Sequence, residues 1–198
     1  SVTQSAGNIN SITETLIRFF YNMQDTKKAY HIFGLSGMNS IIIINYLMEI
    51  FDKKEVTYDA SSFNLLGDRL CTQVNIWNGF KISYGNEYPN LLKNIPCACP
   101  ICLKIDNIQT LKKNDYQSAL LRVLHNLYQY VQYATFIYNL KEDKNLMREF
   151  ITQTKTSIEI ELLDFIEYCK EKGVEEGIQK YKYLFNTKNK EKQYTINF

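Results

Sequence analysis

Apolar side chains recur with the period of a helix near the start of the chain. They fall about every third or fourth residue, at Ile12, Leu16, Phe19, Phe20 and Met23. This spacing aligns them on one face, as in an amphipathic helix that buries that face. Ser11 comes just before the run and Glu14 follows three residues later, which is typical of a capping box. The pattern predicts a helix over residues 12–23 with Ser11 as its N-cap.

Two short apolar runs then enclose a longer one. Residues 29–35 and 55–58 are the short runs, closed by glycine and by Asp59 respectively. The segment between them is apolar from Ile41, through four consecutive isoleucines, to Phe51. Isoleucine favours strands, but this stretch is too long for one strand and predicts a buried helix. Strand, helix and strand in this order predict a parallel α/β sheet.

Alternation with a period of two follows. From Gln73 to Tyr84, polar and apolar side chains alternate on either side of Asn78-Gly79. Such alternation is typical of strands, and Asn-Gly is the strongest two-residue hairpin signal. The segment predicts an antiparallel hairpin that leads toward a group of cysteines.

Helical spacing returns in the C-terminal half. Residues 116–140 predict one helix with His125 on its apolar face. That face is marked by Leu120, Leu121, Leu124, Leu127, Tyr128, Val131 and Ile137. Residues 146–172 predict a second helix that ends at Gly173. The charged segment 188–192 is expected to be a mobile tail.

The composition suits a folded protein without a dominant charge. Of the 198 residues, 45% are hydrophobic and 14% aromatic, and the formal net charge is +2. No global basic field marks the chain as a nucleic-acid binder, so any polyanion site has to be local. No apolar stretch reaches the roughly 18 residues of a membrane span, and neither a membrane partner nor a secretion leader is expected. The start at Ser1 indicates a processed or partial chain.

Three of the five cysteines lie in one short segment, at Cys97, Cys99 and Cys102. Together with His125 they match a tetrahedral Cys3His zinc site, which is structural because it leaves no position for substrate. The alternative is that the three thiols pack as small hydrophobes in a reduced loop. The other two cysteines are far apart in sequence, which favours a reducing, cytoplasmic location over a secreted disulfide scaffold.

Asp59 follows directly after the second predicted strand. In α/β barrels catalytic residues gather at the carboxyl ends of parallel strands, where the loops converge. The spacing gives equal weight to a second role, the N-cap of a following helix. Asp59 is therefore a candidate catalytic acid with a structural alternative.

Several motifs occur in a fixed order along the chain. They are HIFGLSG from His31, TYDASSF from Thr57, the predicted hairpin, CACPIC from Cys97 and LLRVLHNLY from Leu120. Together they resemble the C-terminal half of the tRNA-guanine transglycosylase family, especially its archaeal type. The resemblance covers about residues 29–140. It implies a (β/α)8 barrel with an inserted zinc subdomain, whose ligands would be Cys97, Cys99, Cys102 and His125.

The resemblance implies an α/β fold in three parts. Residues 1–72 would hold the last βα units of the TIM barrel, residues 73–140 the zinc-binding hairpin and helix, and residues 141–198 a helical extension with its tail. The family's second carboxylate and its base-binding glycine loop have no counterpart, unless residues 5–8 are a remnant of that loop. We therefore expect a fragment, or one part of a protein whose other strands are supplied elsewhere.

The resemblance also implies roles for single residues. The family's acid at the position of Asp59 is the nucleophile that attacks C1′ of the ribose, expels guanine and holds the polynucleotide until a 7-deazaguanine replaces it. Two such displacements retain the configuration at C1′. Phe33 and Gly34 would bind the base, and Arg69 would pair with a phosphate. From the residues alone, an alternative for Phe33 is ordinary packing in the core. The alternative for Arg69 is an ion pair with a surface carboxylate.

The implied enzyme is a zinc-containing pentosyltransferase that acts on a nucleic acid. The expected polymer is tRNA, and the alternative is DNA, because related enzymes insert 7-deazaguanines into DNA. A second hypothesis is a non-catalytic, zinc-stabilised partner subunit of a transglycosylase. Asp59 favours the enzyme, since a degenerate subunit has no reason to keep the acid. The family likeness also implies a homodimer or heterodimer through the zinc subdomain.

Overall fold

The computed structural model describes residues 9–23, 29–35, 37–53, 56–59, 99–105, 110, 113, 115–154, 156 and 158–185, and the backbone alone of residues 72–75 and 80–83. Its helices are α1 (Ile9–Asn22), α2 (Met38–Ile50), α3 (Tyr116–Leu140), α4 (Lys144–Gln153), α5 (Ile160–Lys172) and α6 (Val174–Lys180). Its strands are β1 (Tyr30–Ile32), β2 (Val56–Tyr58), β3 (Thr72–Asn75) and β4 (Phe80–Ser83). Short 3₁₀ turns occupy Cys102–Lys104 and Lys182–Leu184. Of the helices in these ranges, none has both the length and the apolar character that a membrane crossing needs.

The predicted strand–helix–strand unit is confirmed. β1 and β2 pair in parallel, with Tyr30 opposite Val56, His31 opposite Thr57 and Ile32 opposite Tyr58. The isoleucine-rich segment between them is the helix α2, whose residues from Ser40 to Met48 are all buried. A helix that is apolar all round is one that protein surrounds, so burial overrides the strand preference of isoleucine. The fold is mixed α/β, and within the described residues the parallel pair does not close into a barrel.

The predicted hairpin is also present. β3 and β4 pair antiparallel, with Thr72 opposite Ser83. Asn78-Gly79, the predicted turn, lies outside the described residues. β3 runs beside α3, so the hairpin neighbours the helix that carries His125.

One hydrophobic core joins helices from both ends of the chain. α2 lies at its centre, and α1, α3 and α5 pack against it. At the edge of this core the hydroxyl of Tyr46 on α2 donates a hydrogen bond to the carboxylate of Glu167 on α5, and burial raises the pKa of Tyr46. Arg148 on α4 pairs with Glu167 at 3.2 Å and with Asp164 at 2.8 Å. The C-terminal helices therefore share a core with the βαβ unit.

The predicted N-cap of the first helix is wrong. α1 begins at Ile9, so Ser11 lies inside the helix. The side-chain amide of Asn10 donates to the carbonyl oxygen of Leu184 at 2.5 Å. This contact with the far end of the described chain stabilises the extra turn at the start of α1. The spacing of apolar residues near Ser11 does not indicate such a contact.

The single helix predicted over residues 146–172 is also wrong, because the segment forms two helices, α4 and α5. At the end of α4 the Thr154 hydroxyl donates to the carbonyl oxygen of Phe150 at 2.7 Å, and the Thr154 backbone is extended. Threonine hydroxyls compete in this way for helix carbonyls. The predicted stop at Gly173 is confirmed, with φ of 100°, a value that favours glycine. The predicted tail at 188–192 and residues 5–8 lie outside the described residues.

The bounds predicted for the helix over residues 116–140 are confirmed, but its buried face is not the predicted one. His125 and Ile137 are buried, whereas most of the leucines assigned to the same face are exposed. The inward face carries Ser118, Arg122, His125, Asn126, Gln129, Tyr130, Tyr133 and Ile137. The outward face carries Leu120, Leu124, Leu127, Val131 and Tyr138, a set called here the apolar row. Some of these inward polar side chains have hydrogen-bond partners there, such as Arg122, which donates to the carbonyl oxygen of Lys113 at 2.8 Å.

Candidate functional site

The first candidate site begins with a tight turn that contains two cysteines. The Leu103 N–H donates to the Cys99 carbonyl oxygen, and the Lys104 N–H donates to the Ile101 carbonyl oxygen, each at 3.1 Å. This turn folds Cys102 back over Cys99, so that the Cys102 N–H points at the Cys99 Sγ at 3.2 Å. Backbone N–H groups that donate to sulfur stabilise the thiolate form that binds metal.

α3 supplies the third side chain of this site. Asp115 caps the helix, because its carboxylate accepts from the Ser118 N–H at 2.8 Å and from the Ser118 hydroxyl at 3.1 Å. The hydrogen bond from the Ser118 backbone is the main reason that the pKa of Asp115 is lowered. The cap fixes the start of α3, and His125 lies on the inward face between two and three turns later.

Cys99, Cys102 and His125 form a cluster that could bind a metal ion. The His125 Nδ1 lies 3.2 Å from the Cys99 Sγ and 3.3 Å from the Cys102 Sγ. A tetrahedral zinc ion, with bonds of about 2.3 Å to sulfur and 2.0 Å to nitrogen, holds those two atoms about 3.5 Å apart. Cys99 is fully buried and His125 is 1% exposed. These three donors therefore fit around one metal ion with little movement.

Three of the four predicted metal ligands lie together, and the fourth, Cys97, lies outside the described residues. Cys169 belongs to another environment. Its thiol is buried on α5, where burial raises its pKa to about 12, and its Sγ faces the Val174 carbonyl oxygen at 4.0 Å. Such a thiol stays protonated and packs as a small apolar group.

The second candidate site lies at the carboxyl end of the parallel strands. The Asp59 N–H donates to the Ile32 carbonyl oxygen at 3.3 Å, which continues the β1–β2 ladder by one step. The Asp59 Oδ1 accepts from the Gly34 N–H at 2.6 Å. Gly34 has φ of 76°, a left-handed conformation that favours glycine. The carboxylate is therefore held by one oxygen at the strand edge and is exposed to solvent.

Two of the residues predicted to bind the base lie beside this carboxylate, and the third does not fall within the described residues. Gly34 contacts Asp59 directly, and Phe33 precedes it at the end of β1. Phe33 is 71% exposed, so the alternative that it packs in the core is wrong. Arg69 lies outside the described residues.

His31 and Thr57 extend the same surface, although the sequence pattern did not single them out. They face each other across β1 and β2, and the His31 Nδ1 lies 2.8 Å from the Thr57 Oγ1. Residues two apart in a strand share a face, so His31 and Phe33 on one strand match Thr57 and Asp59 on the other. Only the strand register in the structure brings these two residues together.

Comparisons with protein-family models, with curated proteins and with solved structures give no match to this chain.

Proposed function

We propose that this chain carries the nucleophile end of a guanine transglycosylase, which exchanges guanine in a polynucleotide for a 7-deazaguanine base. The observation that carries the proposal is the Asp59 carboxylate at the end of β2, bound to the Gly34 N–H next to the exposed Phe33. These are the groups that the family likeness assigns to base exchange. The Cys99, Cys102 and His125 cluster supports the same proposal, because it follows the strand-end site in the family's order.

Asp59 performs two displacements at one carbon. In the first, a carboxylate oxygen bonds to C1′ while the bond from C1′ to the guanine N9 breaks. In the second, the N9 of the incoming base bonds to C1′ and the carboxylate leaves. A carboxylate is suited to both steps, since it is a moderate nucleophile and a workable leaving group. The Gly34 N–H fixes one oxygen and so orients the other toward the sugar.

Phe33 and Gly34 supply the contact with the base. An exposed aromatic ring offers a stacking surface, and stacking on a base contributes about 1–3 kcal/mol. Gly34 lets the base approach the backbone closely because it has no side chain. Arg69 contributes a phosphate contact in this proposal.

The metal is zinc in this proposal, bound by Cys97, Cys99, Cys102 and His125, with Cys97 as the fourth ligand. Four protein ligands close the coordination sphere, so the ion stabilises the hairpin and α3 and takes no part in base exchange. The described cysteines are free thiols. Thiolate ligands of this kind persist in a reducing compartment, which supports a cytoplasmic location.

β1 and β2 are, in this proposal, strands of the last βα units of a (β/α)8 barrel. Helices cover one face of the pair, where Ile32 and Val56 are buried, while His31 and Thr57 on the other face are exposed. Parallel sheets normally have both faces covered and more than two strands. The remaining strands come from residues outside the described ranges or from another chain.

Base exchange can be measured with labelled guanine. We expect the full-length protein to transfer radiolabelled guanine into tRNA, because the same two displacements accept guanine as the incoming base. Heat-denatured protein is the control, and duplex DNA is tested in parallel. Label in DNA alone identifies a DNA-modifying enzyme. Label in neither polymer contradicts the enzyme and favours the non-catalytic subunit.

We also propose that two copies of the chain pair through the apolar row of α3. The members of the row are between 37% and 50% exposed and follow one another at intervals of four, three, four and seven residues, which is coiled-coil spacing. The 25-residue helix has one Asp, Glu, Lys or Arg side chain, Arg122, and that side chain is buried. An exposed face without charge is typical of an interface core. The α3 helix of a second copy presents the same apolar row, so the two rows can pack against each other.

Leu124→Lys should dissociate this dimer. Burial of one leucine contributes about 2 kcal/mol, and twofold symmetry applies the loss twice, so Kd should rise about 10³-fold. Sedimentation equilibrium measures the effect. Leu146→Lys is the matched control, because Leu146 is an exposed leucine on α4 that is not a member of the row. A monomeric wild-type protein, or equal dissociation by the control, contradicts the proposal.

A further inference from the structure

A histidine and a threonine form a hydrogen-bonded pair on the exposed face of the parallel strands. The His31 Nδ1 lies 2.8 Å from the Thr57 Oγ1. The same Thr57 hydroxyl lies 3.4 Å from the carbonyl oxygen of Tyr30. The two contacts form a short series of hydrogen bonds from the imidazole to the backbone of β1.

These two contacts fit the tautomer of His31 that carries its proton on Nδ1. A carbonyl oxygen only accepts hydrogen bonds, so in this arrangement the Thr57 hydroxyl donates to the carbonyl oxygen of Tyr30. The Thr57 oxygen then accepts from His31, which places a proton on Nδ1. In the neutral ring the lone pair is therefore on Nε2. The strands thus present a basic nitrogen on an exposed side chain.

The imidazole lies close to the groups assigned to base exchange. The ring centroids of His31 and Phe33 are 4.3 Å apart, with the rings at 71° to each other. Thr57 and Asp59 lie two residues apart on β2 and so share a face. A base that stacks on Phe33 therefore comes within reach of His31, while Asp59 at the edge of that face reaches the sugar.

We propose that His31 is a catalytic residue that moves the proton between the departing and the incoming base. This inference rests on the proposed function. Two different bases exchange at one carbon, and each needs a proton moved: the departing guanine gains one and the incoming base loses one. An imidazole that is placed beside the base can both give and take a proton, as these two transfers require.

The proton balance closes over the two displacements. When the C1′–N9 bond breaks, its electron pair goes to guanine, the protonated His31 gives its Nε2 proton to that base, and Asp59 bonds to C1′. The incoming base then gives its N9 proton to Nε2, its N9 bonds to C1′, and the bond to Asp59 breaks. His31 ends protonated, as it began. Thr57 is a positioning residue, because it holds the Nδ1–H throughout.

The test compares two leaving groups. An oligonucleotide with 7-methylguanine at the exchanged position loses a base that is already cationic and needs no proton. His31→Ala should slow formation of the covalent adduct about 10²–10⁴-fold with guanine and leave the rate with 7-methylguanine close to wild type. Thr57→Val should show a smaller loss with the same dependence on the leaving group. His31 is exposed, so both metal content and melting temperature should stay unchanged.

The outcomes separate this inference from the proposed function. Equal slowing with both leaving groups assigns His31 a structural role and overturns the inference, and so does an unchanged rate with guanine. In both of those cases base exchange itself still stands. Wild-type protein that forms no adduct with either substrate overturns the proposed function and this inference together.

Discussion

Cys99→Ser is expected to abolish metal binding and to unfold the region built on the cysteine turn. Cys99 is fully buried, and its sulfur lies 3.2 Å from each of two groups, the His125 Nδ1 and the Cys102 N–H. Serine oxygen is a poor ligand for a metal that prefers thiolate. Structural zinc sites contribute up to about 10–16 kcal/mol of apparent binding energy, which is coupled to folding. Elemental analysis should fall from one zinc per chain to none, and thermal denaturation should begin at a lower temperature.

Cys169→Ser is the matched control for this variant. It makes the same chemical change at a second fully buried cysteine, on α5 and outside the cluster. Some loss of stability is expected there, because a hydroxyl replaces a buried thiol, but the metal should stay bound. Full metal retention by Cys99→Ser would show that the cluster is three packed side chains and no metal site.

The features that the sequence predicts well are those that neighbouring residues determine. The alternation of polar and apolar residues from Gln73 to Tyr84 indicates the hairpin, and the antiparallel pair is present. Its register places Asn75 opposite Phe80, which differs from the register of a two-residue turn at Asn78-Gly79. Cys99 and Cys102 meet because the Leu103 N–H donates to the Cys99 carbonyl oxygen and so turns the chain back between them. The parallel pairing of β1 and β2 follows because a connection through a helix returns the chain in the same direction.

The features that the sequence could not predict depend on contacts between distant residues. Hydrophobicity assigns the leucines of α3 to the core, but Arg122 and His125 have their partners on the other side. Burial of these polar groups with partners costs less than burial without them. The inward face of α3 is therefore polar, and the apolar row remains outside.

The strand-end site also depends on contacts that the sequence does not show. Asp59 is visible in the sequence because it follows a strand, and the family resemblance points to Phe33 and Gly34. His31 and Thr57 become significant only once the register places them opposite each other. Register in a parallel pair depends on packing across the whole βαβ unit, and residue types do not encode it locally.

Asp59→Asn should reduce formation of a covalent adduct with the polynucleotide about 10⁴-fold or more. The amide oxygen of asparagine still accepts from the Gly34 N–H, so the strand end keeps its shape. The change removes only the negative charge, and a neutral amide does not attack C1′. Denaturing electrophoresis of the full-length protein with its polymer substrate detects the adduct as a band of reduced mobility.

The control for this variant is Asp52→Asn, which makes the same change at an exposed acid after α2. Asp52 has φ of 50°, a conformation that asparagine adopts as readily as aspartate, so folding and adduct formation should both be unaffected. Asp59→Asn should also bind metal as the wild type does, because the cluster depends on Cys99, Cys102 and His125. If Asp59→Asn loses the adduct and keeps its metal, the loss comes from the nucleophile and not from damage to the metal site. An undiminished adduct in Asp59→Asn contradicts the role of Asp59 as the nucleophile, because no other change at the strand end accompanies the substitution.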